Sequence, residues 1–270
     1  MNPRAAIGLF DSGLGGLTVA REIAGRLPRE RIIYFGDTAR CPYGSRPAGE
    51  VRKFALQLIK FLAGHDIKMV VMACNTSSAT ALAVAQERFD FPVLGMIKPG
   101  VRAAVKRTRN KRIGVIATGT TVANRAYSRA ARAMDPSVEV KEQACPRFVP
   151  LVEVGDVHGE RAHRSAREYL QPLKEFGMDT LILGCTHYPL LEKVIRDHIE
   201  DKVILVDPSV EVVEETRLVL ERNGALNPDP GPPEHLLYTS GDPERFRLMG
   251  ERVYGASFGR VYRVDVQSWE

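Results

Sequence analysis

The chain has 270 residues, 44% hydrophobic and 26% charged, with a formal charge of +5. That length buries a core without disulfide staples, and the composition excludes disordered, collagen-like and disulfide-scaffold classes. No window approaches the ~20 apolar residues of a membrane span. The N-terminal stretch reaches Asp11 too soon for a secretory apolar region, so a cytoplasmic location and no membrane partner are expected.

In chain order, short β-branched runs alternate with longer amphipathic stretches. Predicted strands are Ala6–Phe10, Ile32–Phe35, Ile67–Ala73, Val93–Met96, Ile113–Ala117, Val138–Glu142, Thr180–Leu183, Val203–Val206 and, more weakly marked, Leu236–Thr239. Predicted helices are Leu17–Arg26, Val51–Leu62, Ser77–Arg88, Val122–Met134, Arg161–Phe176, Leu190–Ile199 and Val210–Arg222. This alternation, with strands apolar on both faces, argues for an α/β fold with parallel-rich sheets. A break at Lys98-Pro99-Gly100 reads as a crossing between lobes, and Asn227–Pro233 as a loop.

One pattern occurs twice. Val70 to Thr76 is an apolar strand ending in Cys74, then two polar residues, then a helix; Leu181 to His187 repeats the layout around Cys185. The echo predicts two similar α/β lobes with the site in the cleft between them. The first lobe is expected over 1–98 plus 211–270 and the second over 99–210.

In open α/β sheets, ligands bind beyond the carboxyl ends of strands, where helix N-termini favour negative charge and thiolate. The bland reading of Cys74 and Cys185 is that of small buried hydrophobes. Two equivalent settings favour function. A nucleophile needs one Cys with a base beside it. Two thiols facing each other suit a different chemistry, in which one removes a proton from carbon and the other delivers one to the opposite face. That exchange inverts a stereocentre. Asn75 and Thr76 suit capping one helix end, and Thr186 and His187 stand at the other. His187, two residues beyond Cys185, would share its face in extended backbone.

The loops Asp11–Gly16 and Asp37–Gly44 also follow strands. Asp11 and Ser12 could hold an ammonium or simply cap a helix, and the loop is neither GxGxxG nor a Walker A sequence. Tyr43 and the amides around Gly44 could line a pocket, though a capped turn explains them equally well. Cys41 and Cys145 lack the strand-end setting and read as non-catalytic. No cysteine spacing suits zinc, so no metal is expected. The basic groups Lys106, Arg107, Arg109, Lys111 and Arg112, and Arg161, Arg164 and Arg167, lack interleaved aromatics and read as solvated faces, so a nucleic-acid partner is not expected.

The motifs DSGLGG at 11–16, DTARCPYG at 37–44, MACNTSSA at 72–79, GCTHYPLL at 184–191 and TSGD at 239–242 are similar to those of the cofactor-independent aspartate/glutamate racemase family, and closest to its glutamate branch. The resemblance implies interconversion of L- and D-glutamate, supplying D-glutamate for peptidoglycan, with no cofactor and a homodimeric state. It implies Cys74 and Cys185 as acid/base thiols, with Asp11, His187 and Glu153 as further catalytic groups. It also implies substrate binding by Asp11, Ser12, Tyr43, Gly44, Asn75, Thr76, Thr186 and His187. Aspartate racemase, a Cys-dependent amide hydrolase using His187 as base, and a two-lobed amino-acid binding protein are the competing readings.

Overall fold

The computed structural model describes residues 1–255 and 260–269. In chain order the elements are β1 (Ala6–Asp11), α1 (Leu17–Arg26), β2 (Ile32–Gly36), α2 (Ala48–Ala63), β3 (Ile67–Met72), α3 (Asn75–Arg88), β4 (Val93–Gly95), α4 (Ile97–Arg107) and β5 (Arg112–Ala117). There follow α5 (Gly119–Asn124), α6 (Ala126–Met134), β6 (Glu139–Ala144), α7 (Phe148–Glu153), α8 (Glu160–Glu175), β7 (Thr180–Gly184), α9 (Glu192–Arg196), β8 (Ile204–Val206), α10 (Pro208–Arg222), β9 (Leu236–Thr239), α11 (Pro243–Tyr254) and β10 (Val261–Arg263). Short 3₁₀ turns occupy Tyr43–Ser45 and Tyr188–Leu191.

Two sheets form, parallel throughout their pairings. One runs β10-β9-β2-β1-β3-β4 and the other β6-β5-β7-β8. Both contain the same four-strand order, since β2-β1-β3-β4 and β6-β5-β7-β8 are each second, first, third, fourth along the chain. The two lobes expected from the repeated Cys pattern are therefore a topological repeat. In each sheet the strand order reverses between the first and third strands, and that reversal opens a crevice at their carboxyl ends. Asp11 and Cys74 flank one crevice; Thr118 and Cys185 flank the other.

Burial explains the apolar runs. Along β1, Ile7 and Leu9 enter one core cluster while Ala6 and Phe10 enter another on the opposite face. In the second sheet Leu181 and Leu183 face one cluster and Ile182 the other. Strands covered on both faces have no polar side to alternate with.

Some elements depart from expectation. Lys98-Pro99-Gly100 is not a break but part of the first turn of α4. Pro99 is accommodated there because the first backbone N–H groups of a helix have no intrahelical acceptor to lose. Gly100 has a packing reason: a Cβ on it would lie 2.9 Å from Pro208 Cγ, where α10 begins. The single helix expected over Val122–Met134 is two, α5 and α6, divided at Arg125, whose φ of 54° is left-handed. Leu190–Ile199 is likewise a 3₁₀ turn followed by the short α9. Sequence patterning alone misses α7, α11 and β10. A Pro-containing single turn and a three-residue edge strand carry little periodicity. The start of α11 does carry a signal, however: Asp242 caps it by accepting from the Arg245 N–H at 2.8 Å, and Pro243 follows.

Candidate active site between the two lobes

Cys74 ends the β3 segment and is itself the N-cap of α3; its Sγ accepts from the Ser77 N–H at 3.5 Å. Asn75 and Thr76 are therefore inside the helix rather than capping it, and both reach across to the second lobe. The Tyr127 hydroxyl donates to Asn75 Oδ1 at 2.5 Å, and Thr76 Oγ1 lies 2.9 Å from Thr118 Oγ1 and 3.3 Å from Thr121 Oγ1. Thr118 and Thr121 are not among the residues that sequence reasoning singles out. Their signal is nonetheless present: Ile113–Ala117 is an apolar strand followed at once by Thr-Gly-Thr-Thr, the same strand-end layout as the other loops.

Cys185 follows β7. His187 does not sit in extended backbone; its φ of −80° and ψ of −24° begin a turn. The turn nevertheless brings Nδ1 to 3.8 Å from Cys185 Sγ, while Nε2 lies 2.7 Å from Glu153 Oε1 at the end of α7. A carboxylate–imidazole–thiol chain results. No spacing in the sequence points to Glu153, which is brought in from over 30 residues away by the α7 turn.

Asp11 lies at the end of β1 with no solvent exposure. Its Oδ2 accepts from the Gly13 N–H at 3.1 Å, and its Oδ1 from the Thr186 hydroxyl at 3.3 Å across the seam. Ser12, beside it, is also buried. Gly15 shows how close this loop comes to the second lobe: an added Cβ would lie 2.5 Å from Thr186 Oγ1 and 2.6 Å from His187 Nδ1. On the far side Gly44 does the same, since its Cβ would meet Thr118 Cβ at 2.5 Å. Tyr43 packs its ring with Val51 and Cys74, but its hydroxyl is committed to Asp37, which also accepts from Ser240 at 2.7 Å. Asp37 thus ties the Tyr43 loop to the TSGD segment.

The electrostatics of the site centre on Cys74 and on the His187–Glu153 pair. Burial, followed by the nearby Asp11 charge, pushes the Cys74 thiol up to about 12, against N–H donation from Ser77. Burial by itself would depress His187, but its hydrogen bonds to Cys185 and Glu153 outweigh it and hold the imidazole well above its usual range. Glu153 is the reciprocal case: burial opposes ionisation, and the His187 partner nonetheless holds it below its ordinary value. Burial raises Asp11, opposed by the His187 charge and by backbone N–H groups of its own loop.

Both sulfurs are almost closed off, Cys74 at 4% and Cys185 at 7% exposure. Two cavities of about 480 and 540 Å³ adjoin the site behind Glu153 and are walled partly by Leu14 and Met249; the thiols line neither. Cys41 lines the first of these, its sulfur facing Gly13 close to Glu153, while Cys145 lies in the second-lobe core. No group of three or more His, Cys, Asp or Glu suited to a metal occurs among the described residues.

Paired strand-end thiols in a doubled α/β fold, one backed by a His–carboxylate pair, are an arrangement suited to acid/base chemistry. A family profile for Asp/Glu/Hydantoin racemase matches residues 17–216, and the chain belongs to that family. It is 46% identical to a glutamate racemase of Geobacter metallireducens, with 98% of each chain covered. A crystal structure of a glutamate racemase isoform from Bacillus anthracis superposes with a TM-score of 0.95 at 39% identity, covering 98% of this chain and 99% of that one. The Francisella tularensis glutamate racemase, crystallised in complex with D-glutamate, gives 0.92 at 36% identity, covering 99% of this chain and all of that one.

Proposed function

We propose that this protein interconverts L- and D-glutamate by two-thiol proton transfer at the α-carbon, supplying D-glutamate for peptidoglycan. The observation that carries the reading is the placement of Cys74 and Cys185 at matching strand ends of two repeated sheets, on opposite sides of one seam. The names of the relatives favour glutamate over aspartate.

In one direction the Cys74 thiolate takes the α-proton, so a C–H bond breaks as S–H forms. The Cys185 thiol then gives its proton to the opposite face, and the electron pair left on carbon forms the new C–H bond. The other enantiomer reverses the roles. Asp11 is placed to hold the substrate ammonium. That positive charge offsets the field by which Asp11 opposes the Cys74 thiolate. Ser12, Asn75, Thr76 and Thr186, with the amides around Gly44, surround the seam as donors for the carboxylates, where preorganised dipoles stabilise developing charge. A protonated His187, held by Glu153, serves as hydrogen-bond donor to the Cys185 sulfur. Tyr43 acts through packing on Cys74, its hydroxyl being engaged elsewhere.

We further propose the lobe division 1–98 plus 211–270 and 99–210, a homodimeric assembly and a cytoplasmic location. Among the described residues no helix is long and apolar enough to cross a membrane. Light scattering after gel filtration tests the assembly.

Circular dichroism of purified protein with L-glutamate, and separately D-glutamate, should show optical activity decaying to zero from both sides. Retention of either signal overturns the reading, and product of unchanged hand would point to a hydrolase. Replacing Cys74 or Cys185 by Ser should cut turnover at least ~10³-fold with far-UV dichroism unchanged, because a Ser hydroxyl is a far weaker acid than a thiol.

A further inference from the structure

Cys74 has no imidazole beside it, in contrast to Cys185. Its neighbours in the Asn75-Thr76-Ser77-Ser78 run are almost all committed. Asn75 holds Tyr127, Thr76 holds Thr118, and the Ser78 hydroxyl donates to Met72 O at 2.9 Å and accepts from the Met96 N–H at 3.2 Å. Ser77 is the exception. It is fully buried, and its Oγ has no hydrogen-bond partner. A buried hydroxyl left unpaired costs free energy, so its retention calls for a partner that is present only part of the time.

The local geometry names that partner. Cys74 is the N-cap and Ser77 the third residue of α3, the spacing at which cap and third residue interact reciprocally. The Ser77 N–H already points to Sγ at 3.5 Å. At the N-terminus of this 14-residue helix, the orphan hydroxyl is one side chain away from a sulfur that must become an anion in the proposed reaction. A neutral thiol is a poor acceptor; a thiolate is a strong one. The equivalent place after Cys185 is Tyr188, whose hydroxyl donates to Cys145 O at 3.3 Å and is spent on the core.

We infer that Ser77 is a positioning residue whose hydroxyl donates to the Cys74 thiolate, doing for this sulfur what His187 does for Cys185. The inference deepens the racemase reading and rests on it for its purpose, but the interaction itself belongs to the thiol. Burial raises the Cys74 thiol, and the Ser77 side chain and N–H pull it back down, which accords with this geometry.

The test measures the thiols directly. Iodoacetamide labelling of the full chain at pH 8.5, read peptide by peptide at low conversion, gives the Cys74 rate relative to that of Cys185. Because lobe opening exposes both, the ratio cancels access. In Ser77→Ala this ratio should fall about tenfold, the worth of one hydrogen bond to a charged acceptor, and Ser77→Thr should restore most of it. Thermal stability should hold or rise in Ser77→Ala, since an unpaired buried hydroxyl is being removed. A ratio within twofold of the parent, or a drop that Thr fails to rescue, overturns the inference. Labelling reads the thiolate whether or not glutamate turns over, so failure of the racemisation assay would sink the functional reading separately.

Discussion

At His187 two opposing influences meet: burial, which disfavours the imidazolium, and the Cys185 and Glu153 contacts, which favour it and prevail. The consequence is a defined pH window. His187 is raised above its ordinary 6.5, so its contribution to stability is full below pH ~6.5 and is lost as pH climbs through the folded value. Glu153 is lowered below its ordinary 4.5, so its share is full above ~4.5 and is lost as pH falls through the folded value. The pair should therefore stabilise most between about pH 4.5 and 6.5. Glu153→Gln should cost about 1–2 kcal/mol at pH 5.5 by urea denaturation, and less at pH 9. Equal costs at both pH values would mean the contact is not ionic. Asp11→Asn acts on the other thiol. It removes the charge that resists Cys74 ionisation, so Cys74 labelling at pH 8.5 should quicken severalfold while glutamate turnover falls. Slower labelling would show that Asp11 does not set the field at Cys74.

Among the elements, β3 carries a buried polar anchor. Lys68, fully buried, places its Nζ 2.5 Å from Glu30 Oε2 and donates to Pro3 O and Ala225 O, each at 2.8 Å. This lysine joins the N-terminal segment, the turn before β2 and the end of α10 to the strand that presents Cys74. Removing one partner of a buried pair strands the other's charge, so Lys68→Met should cost about 3–5 kcal/mol by denaturant midpoint. A loss under 1 kcal/mol would mean that water reaches Glu30. Which elements are legible in the sequence follows from the same physics. The strands leading to Asp11, Cys74 and Cys185 are buried on both faces and bounded by Gly and polar residues, and their composition announces them. The α4 crossing misleads because Pro99 and Gly100 signal a break. Only the tertiary contact with Pro208 and the exempt first turn explain a helix there. Arg125 shows no local sequence signal for its left-handed backbone. Cys74 and Cys185 are visible as a repeat; Glu153 needs the family likeness, and Thr118 is easily overlooked although β5 and β1 occupy equivalent places.

For the molecule as a whole, the lobes are laced together by hydroxyls. Besides the Thr76–Thr118 and Asp11–Thr186 contacts, Thr120 Oγ1 reaches Gly44 O at 3.0 Å and Arg46 O at 2.8 Å. Thr120→Val should leave global stability within ~1 kcal/mol yet raise the KM for glutamate and speed amide exchange at residues 43–46 severalfold. Unchanged exchange there would remove Thr120 from the closure. Closure also has an isotopic meaning. With both sulfurs nearly sealed from water, hydrogen lifted from one substrate molecule leaves the protein only when the halves part. In heavy water, product of inverted hand should therefore carry solvent hydrogen from the first turnover, delivered by the opposite sulfur, while glutamate recovered with its original hand stays unlabelled early on. The seal would make each sulfur a short-term store of the atom it has just removed.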